Sequence, residues 1–108
     1  MVDLDPARGS EANKRRPAVI VSNDGANTTA VRLNRGVITV VPVTSNVSRV
    51  YPFQALLPAT DCGLPSDSKA QAEQVRSVAI ERIDRRVGQL TAPLLAELDE
   101  ALRLHLAL

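Results

Sequence analysis

Short apolar segments separated by polar turns make up most of the chain, and an apolar stripe with helical spacing closes it. The segment from Val37 to Val43 is nearly all β-branched and apolar, at odd and even positions alike. This is typical of a central strand covered on two faces. Pro42 has no backbone N–H, so it should limit pairing on one side of that strand. After Thr91, a good helix N-cap, leucines and alanines recur at helical spacing up to Leu106. The pattern predicts a sheet with one amphipathic helix packed on it.

Four further segments have the composition of strands. In the longest of them, Gln74, Arg76 and Val78 should share one face because strand side chains alternate. Since the strands precede a single helix and do not alternate with helices, the pattern favours a small, curled, mainly β domain. The further strands are Ala18 to Ser22, Val50 to Leu57 with Gln54 facing out, Gln71 to Ile80, and Val87 to Leu90; loops or irregular stretches are expected at Pro6 to Arg16, Asn23 to Asn34 and Asp61 to Ser68.

Composition narrows the class of protein. A length of 108 residues suits one domain spanning residues 1–108, and with Tyr51 and Phe53 as the only aromatic residues the core must be aliphatic. The net charge of +1 means that any polyanion site would be a local patch. Cys62 is the only cysteine, which excludes an intramolecular disulfide and suits a reducing cytoplasm. The sequence has no apolar run of about 20 residues, so we expect no membrane span.

The chemistry available to the side chains is limited. One cysteine and one histidine cannot hold a transition metal, and no glycine-rich phosphate loop is present, so neither a metal nor a cofactor is expected. His105 lies beside the apolar stripe of the helix, where a packed histidine is the usual finding, and Cys62 is expected to be a bystander. The segment from Gly9 to Pro17 combines small residues, a carboxylate and clustered cations. By composition it is either a solvated charged loop or a loop that embraces a phosphodiester.

Six short motifs follow one another along the chain: DLDP at 3–6, GSE at 9–11, RPAVIVS at 16–22, VPVTS at 41–45, YPF at 51–53 and AEQVRS at 72–77. In this order they resemble the MazF/PemK/Kid family of toxins from type II toxin–antitoxin systems. The resemblance implies an SH3-like, CcdB-type curled antiparallel barrel with a C-terminal amphipathic helix, assembled as a homodimer. It also implies a cognate MazE-type antitoxin whose disordered acidic tail folds into the toxin groove.

The resemblance further implies sequence-specific cleavage of single-stranded RNA without a metal. The ribose 2′-OH would attack the adjacent phosphorus and leave a 2′,3′-cyclic phosphate and a 5′-OH. Arg16 matches the family's catalytic arginine, Thr44 its catalytic threonine, and Glu11 a carboxylate with a supporting or basic role. Without the resemblance, Arg16 would be assigned to an ion pair and Thr44 to a strand end. The residues that would bind RNA are Ser10, Lys14, Arg15, Ser45, Gln74 and Arg76.

One departure from the family pattern lies at the start of the sequence. Family members usually carry about ten residues before the DLDP-like segment, including an aromatic-rich first strand. Only Met1 and Val2 precede Asp3 here, so we expect an open sheet edge with an apolar patch. Two alternatives to a nuclease follow: a CcdB-like gyrase inhibitor, against which the GSE loop and Thr44 argue, and a truncated, weakly active paralogue that binds the antitoxin.

Overall fold

A computed structural model describes residues 16–22, 33, 36–83 and 86–108. This part of the chain contains five strands, two α-helices and two single turns of 3₁₀ helix. In chain order they are β1 (Ala18–Ile20), β2 (Val37–Thr44), β3 (Gln54–Leu57), α1 (Ala59–Cys62), β4 (Ser68–Gln71), a 3₁₀ turn (Ala72–Gln74), β5 (Arg76–Ala79), a second 3₁₀ turn (Ile80–Arg82) and α2 (Ala92–Leu106).

Strand β2 is the centre of an antiparallel sheet. One of its edges pairs with β1, while the other pairs first with β5 and then with β4, and β3 completes the sheet beyond β4. The predicted mainly antiparallel sheet with a C-terminal helix is therefore confirmed. The described strands do not close into a barrel, because no pairing joins β1 to β3. The closed barrel implied by the resemblance is thus corrected to an open sheet in this part of the chain.

Pro42 lies where β2 changes partners on one edge. The neighbouring Val43 N–H donates to the Pro17 carbonyl at 3.0 Å, on the β1 side. Since backbone groups alternate between the two edges of a strand, the nitrogen of Pro42 faces the opposite edge. There the pairing with β5 ends at Val40 and the pairing with β4 starts at Val43. The position of Pro42 on this edge therefore lies between the two paired segments, where β2 pairs with neither β5 nor β4. This confirms that Pro42 limits pairing on one side of the strand.

Apolar side chains cover both faces of β2. On one face, Val41 and Val43 belong to a buried cluster with Leu57 and Leu98, which brings α2 against the sheet. On the other face, Ile38 and Val40 pack with Val78. Val40 and Val41 are both completely buried, which confirms that this strand is covered on two sides. Each cluster contributes to the hydrophobic stabilisation of the same rigid strand.

Helix α2 begins where the sequence predicted, but fewer of its apolar residues are buried than the sequence predicted. The Thr91 Oγ1 accepts a hydrogen bond from the Leu94 N–H at 3.4 Å, which confirms the N-cap. Leu95 and Leu106 were predicted to belong to the apolar stripe, yet they are 44% and 48% exposed. None of the helices in the described ranges is long and apolar enough to cross a membrane. The buried positions of α2 are Leu94, Leu98 and Ala101.

The predicted strand from Gln71 to Ile80 is interrupted, and the register explains why. Val43 lies opposite Ala70, whereas Val40 lies opposite Arg76. From Val43 to Val40 the strand β2 moves along by three positions, whereas its partner moves by six from Ala70 to Arg76. The 3₁₀ turn Ala72–Gln74 takes up the three extra positions. Such insertions redirect side chains, often beside functional sites.

Three other predicted elements differ from the structure. The strand expected from Val50 begins only at Gln54, because residues 52 and 53 form a turn. The loop expected from Asp61 to Ser68 includes the end of α1 and the start of β4. Residues 87–90, expected to form a strand, have no regular structure. Most of the predicted irregular stretch from Asn23 to Asn34 lies outside the described residues.

Candidate functional site

Arg16 and Thr44 lie at the same end of the pairing between β1 and β2. The register pairs Ala18 with Pro42, and the Val43 N–H donates to the Pro17 carbonyl at 3.0 Å, so continuation of this register by one residue would bring Arg16 opposite Thr44. Side chains that face each other in an antiparallel pair lie on the same side of the sheet, with Cα atoms about 5 Å apart. Arg16 is exposed and Thr44 is half-buried. The two residues that the resemblance made catalytic therefore lie at the same end of this strand pairing.

The hydroxyl of Thr44 is oriented by the loop that follows it. Its Oγ1 accepts a hydrogen bond from the Asn46 N–H at 3.3 Å. Asn46 Oδ1 in turn accepts from the N–H and the hydroxyl of Ser48, at 3.3 and 2.8 Å. These side-chain turns order the backbone around Ser45, which is exposed. Because the Thr44 oxygen already serves as an acceptor, its hydrogen can be donated to a ligand.

Arg76 and Gln74 are separated by the interrupted strand. Arg76 pairs with Val40 and lies on the same face of β2 as Thr44, about 13 Å further along the strand, since each residue adds about 3.3 Å. Arg76 and Val78 share a face of β5, as predicted. Gln74 belongs to the 3₁₀ turn, so its predicted place beside Arg76 on one strand face is wrong. Both residues are exposed.

Four of the predicted site residues cannot be placed. Glu11, assigned a supporting or basic role, lies outside the described residues. The same holds for three residues assigned to RNA binding: Ser10, Lys14 and Arg15.

A hydrogen-bonded chain that the sequence did not reveal supports the loop after β2. Gln54 was expected to face outwards, yet it is only 8% exposed. Its Oε1 accepts from the Tyr51 N–H at 3.1 Å, and its Nε2 donates to Glu73 Oε2 at 2.8 Å. The other carboxylate oxygen of Glu73 is buried without a hydrogen-bond partner. Alternation along one strand cannot predict this burial, because the covering residues come from a turn and from the 3₁₀ helix.

Other candidate groups do not converge on a site. Within the described part of the chain, no three His, Cys, Asp or Glu residues lie close enough to hold a metal ion. His105 was expected to pack at the end of the helix, but it is exposed on α2. Cys62 is buried at the end of α1, in the cluster beneath the sheet. Burial raises the pKa of the Cys62 thiol, and the neighbouring Asp61 carboxylate adds to this effect.

The raised pKa predicts a protonated, slowly reacting Cys62. Since the folded-state pKa lies above that of the unfolded chain, its stabilising contribution is complete below the unfolded value and is lost as pH rises through the folded value. Iodoacetamide should therefore modify the native protein more slowly than the urea-unfolded protein at the same pH. We expect Cys62→Ala to leave RNA cleavage unchanged. Rapid native alkylation, or loss of cleavage in a folded Cys62→Ala protein, would contradict this prediction.

A cavity of about 550 Å³ is lined by Ala18 and Ile20 of β1 and by Val87 and Leu90, among other residues. In the part of the chain that the structure describes, β1 pairs only with β2. The open sheet edge expected from the sequence stays a prediction, because residues 1–15 lie outside the described residues. Gly88 packs closely against the end of α1, since a Cβ added there would overlap the Cys62 carbonyl oxygen.

Comparison with known proteins identifies the family to which this sheet and helix belong. Residues 1–106 match the family of PemK-like, MazF-like toxins of type II toxin–antitoxin systems, and the chain belongs to that family. It is 70% identical over 107 residues to the endoribonuclease MazF9 of Mycobacterium tuberculosis, covering 99% of this chain and 91% of the relative.

Solved structures agree with this assignment. MazF from Deinococcus radiodurans superposes with a TM-score of 0.73 at 28% identity, covering 99% of this chain and 90% of that one. The MazE–MazF complex from the same organism gives a TM-score of 0.70 at 29% identity, covering 87% and 84%. The family resemblance stated from the sequence is thus confirmed.

Proposed function

We propose that this protein is the toxin of a type II toxin–antitoxin system and acts as a sequence-specific endoribonuclease on single-stranded RNA without a metal ion. The observation that carries the proposal is the register of β1 on β2, which runs toward Arg16 and Thr44, together with a Thr44 hydroxyl whose oxygen accepts from the Asn46 N–H. The family match and the name endoribonuclease carried by its 70% identical relative support it. The gyrase-inhibitor and inactive-paralogue alternatives gain no support from these relatives.

The proposed chemistry uses the substrate's own nucleophile. The 2′-oxygen forms a bond to phosphorus, the bond from phosphorus to the 5′-oxygen breaks, and the products are a 2′,3′-cyclic phosphate and a 5′-OH. Thr44 donates a hydrogen bond to a phosphate oxygen, and the guanidinium of Arg16 stabilises the negative charge that develops there. Glu11 is proposed to accept the 2′-OH proton, and the leaving 5′-oxygen takes up a proton from water. The protein supplies only position, charge and proton transfer.

The proposed partners follow from the family. A relative of this chain was crystallised as a MazE–MazF complex, so we propose that a MazE-type antitoxin binds this toxin. We also propose a homodimer that works in the cytoplasm as one domain per chain. The exposed Arg16, Ser45, Gln74 and Arg76 are proposed to contact RNA, together with Ser10, Lys14 and Arg15.

The test is cleavage in the absence of free metal. Purified protein is incubated with mixed-sequence RNA in EDTA, and the ends of the products are mapped. Fragments that end in 2′,3′-cyclic phosphate and begin with 5′-OH would support the proposal. Intact RNA together with inhibition of gyrase would overturn it in favour of the gyrase-inhibitor class, and intact RNA with antitoxin binding would favour an inactive paralogue.

A further inference from the structure

The two aromatic residues of the chain form a cluster with two cations. The rings of Tyr51 and Phe53 stack with their centroids 5.2 Å apart and their planes inclined by 4°. The guanidinium carbon of Arg49 lies 5.6 Å from the centre of the Tyr51 ring, and the ammonium of Lys69 lies 5.9 Å from it. Arg49 also donates to the Tyr51 hydroxyl at 3.1 Å. We call these four residues the cation–aromatic cluster.

The cation–aromatic cluster lies next to the proposed catalytic pair. Lys69 is the direct partner of Thr44 in the pairing of β2 with β4, so their side chains share one face of the sheet. On the other edge of β2, continuation of the β1 register would bring Arg16 beside Thr44. The hydroxyl of Thr44 would then lie between two cations, with Lys69 on one side and Arg16 on the other.

Among the described residues, no carboxylate neutralises the charge of the buried Lys69. Its side chain is only 8% exposed, and its ammonium donates to the Arg49 carbonyl at 2.6 Å. A carbonyl oxygen satisfies one of three N–H donors but supplies no negative charge. Within the described ranges, no carboxylate forms an ion pair with Lys69 or Arg49; the nearby Glu73 instead accepts from Gln54. A buried ammonium is costly unless a counter-charge accompanies it.

We propose that Lys69 and Arg49 bind a phosphate of the RNA next to the phosphate that is cleaved. This inference rests on the proposed function and adds two residues that the family motifs did not indicate. A phosphate supplies the missing negative charge, and the contact of both cations with Tyr51 holds them in place before RNA binds. The Gln54–Glu73 hydrogen bonds fix Tyr51 in turn. Lys69 and Arg49 thereby fix the register of the RNA along the row that contains Thr44.

The test measures RNA binding and its dependence on salt. The probe is a pool of short single-stranded RNAs of mixed sequence with 2′-O-methyl sugars, which cannot be cleaved by 2′-OH attack. Lys69→Met keeps much of the apolar stem and removes the charge. It should weaken binding about tenfold, the size of one charge-assisted hydrogen bond. The slope of log affinity against log salt concentration should fall by about 0.7, the value for one phosphate contact on a single strand.

Two further variants make the test decisive. Arg49→Gln leaves the backbone carbonyl that holds Lys69 and should produce a similar fall in slope even if Lys69→Met fails to fold. Arg103→Gln, on the exposed side of α2 beside Glu100, is the matched control and should leave the slope unchanged. Equal slopes for wild type and both cluster variants, in a wild type that cleaves RNA, would overturn this inference alone. A wild type that neither binds nor cleaves RNA would overturn the proposed function and this subsite with it.

Discussion

Thr44→Val should lower the rate of RNA cleavage about 10²–10³-fold, the usual cost of removing one hydrogen-bond donor that faces the developing charge. Valine has nearly the shape of threonine and suits a strand, so the sheet should persist. Only the hydroxyl is lost, and with it both the hydrogen bond from the Asn46 N–H and the proposed donation to phosphate. Thr44→Ala should also abolish cleavage and growth arrest, whereas Thr44→Ser should recover much of the rate.

The matched control for this substitution lies on the same strand. Thr39→Val changes a half-buried threonine of β2 that pairs with Ser77 and points to the opposite face from Thr44. We expect wild-type cleavage from it. Rates are measured by single-turnover cleavage, and folding is checked by thermal unfolding. Equal losses in Thr39→Val and Thr44→Val would assign the effect to the strand and remove Thr44 from the mechanism.

Arg16→Ala should abolish cleavage for a different reason. Arg16 is exposed and sits at the start of the β1–β2 pairing, so its removal leaves no buried cavity. The loss should therefore appear in the chemical step and not in the melting temperature. Arg16→Lys keeps the charge without the planar, two-pronged donor geometry of arginine and should recover only part of the rate. Full cleavage by a folded Arg16→Ala protein would overturn the proposed mechanism.

Leu98→Ala should reduce the free energy of unfolding by about 2–5 kcal/mol, the range for leucine truncation in a packed core. Leu98 is completely buried and joins α2 to Val41, Val43 and Leu57 beneath the sheet. Because β2 carries Thr44 at its end, loosening this contact should also lower the cleavage rate at temperatures well below unfolding. Urea denaturation measures the first effect, and cleavage assays at several temperatures measure the second.

Leu104→Ala is the matched control, because it truncates a leucine of the same helix that is not buried. Leu104 lies on the same helix but is 58% exposed, so its truncation leaves no buried cavity. We expect the free energy of unfolding of the Leu104→Ala protein to differ from that of the wild type by less than about 0.5 kcal/mol, as for most surface substitutions. A loss equal to that of Leu98→Ala would mean that Leu104 is covered by a partner, which the proposed homodimer would supply.

The pattern of residues along the chain was sufficient to predict the features that depend only on residues close together in the sequence. The apolar run of β2 indicated a strand covered on both faces, because β-branched side chains at both alternations have no polar side to present to water. Thr91 and the spacing that follows it indicated where α2 begins. The order of short motifs indicated the family and, through it, Arg16 and Thr44. None of these inferences required knowledge of which strands pair.

Tertiary structure decided everything that depends on pairing between distant segments. The register of β4 on β2 pairs Lys69 with Thr44, and the register of β1 on the other edge of β2 runs toward Arg16. The three extra residues between β4 and β5 move Gln74 off the face that carries Arg76. Alternation is a property of one strand, whereas register and burial depend on the partner strand and its covering layer. The sequence by itself therefore determined the central strand, the start of the helix and the catalytic candidates, whereas only the fold determined the bounds of the other strands and the pairing of Lys69 with Thr44.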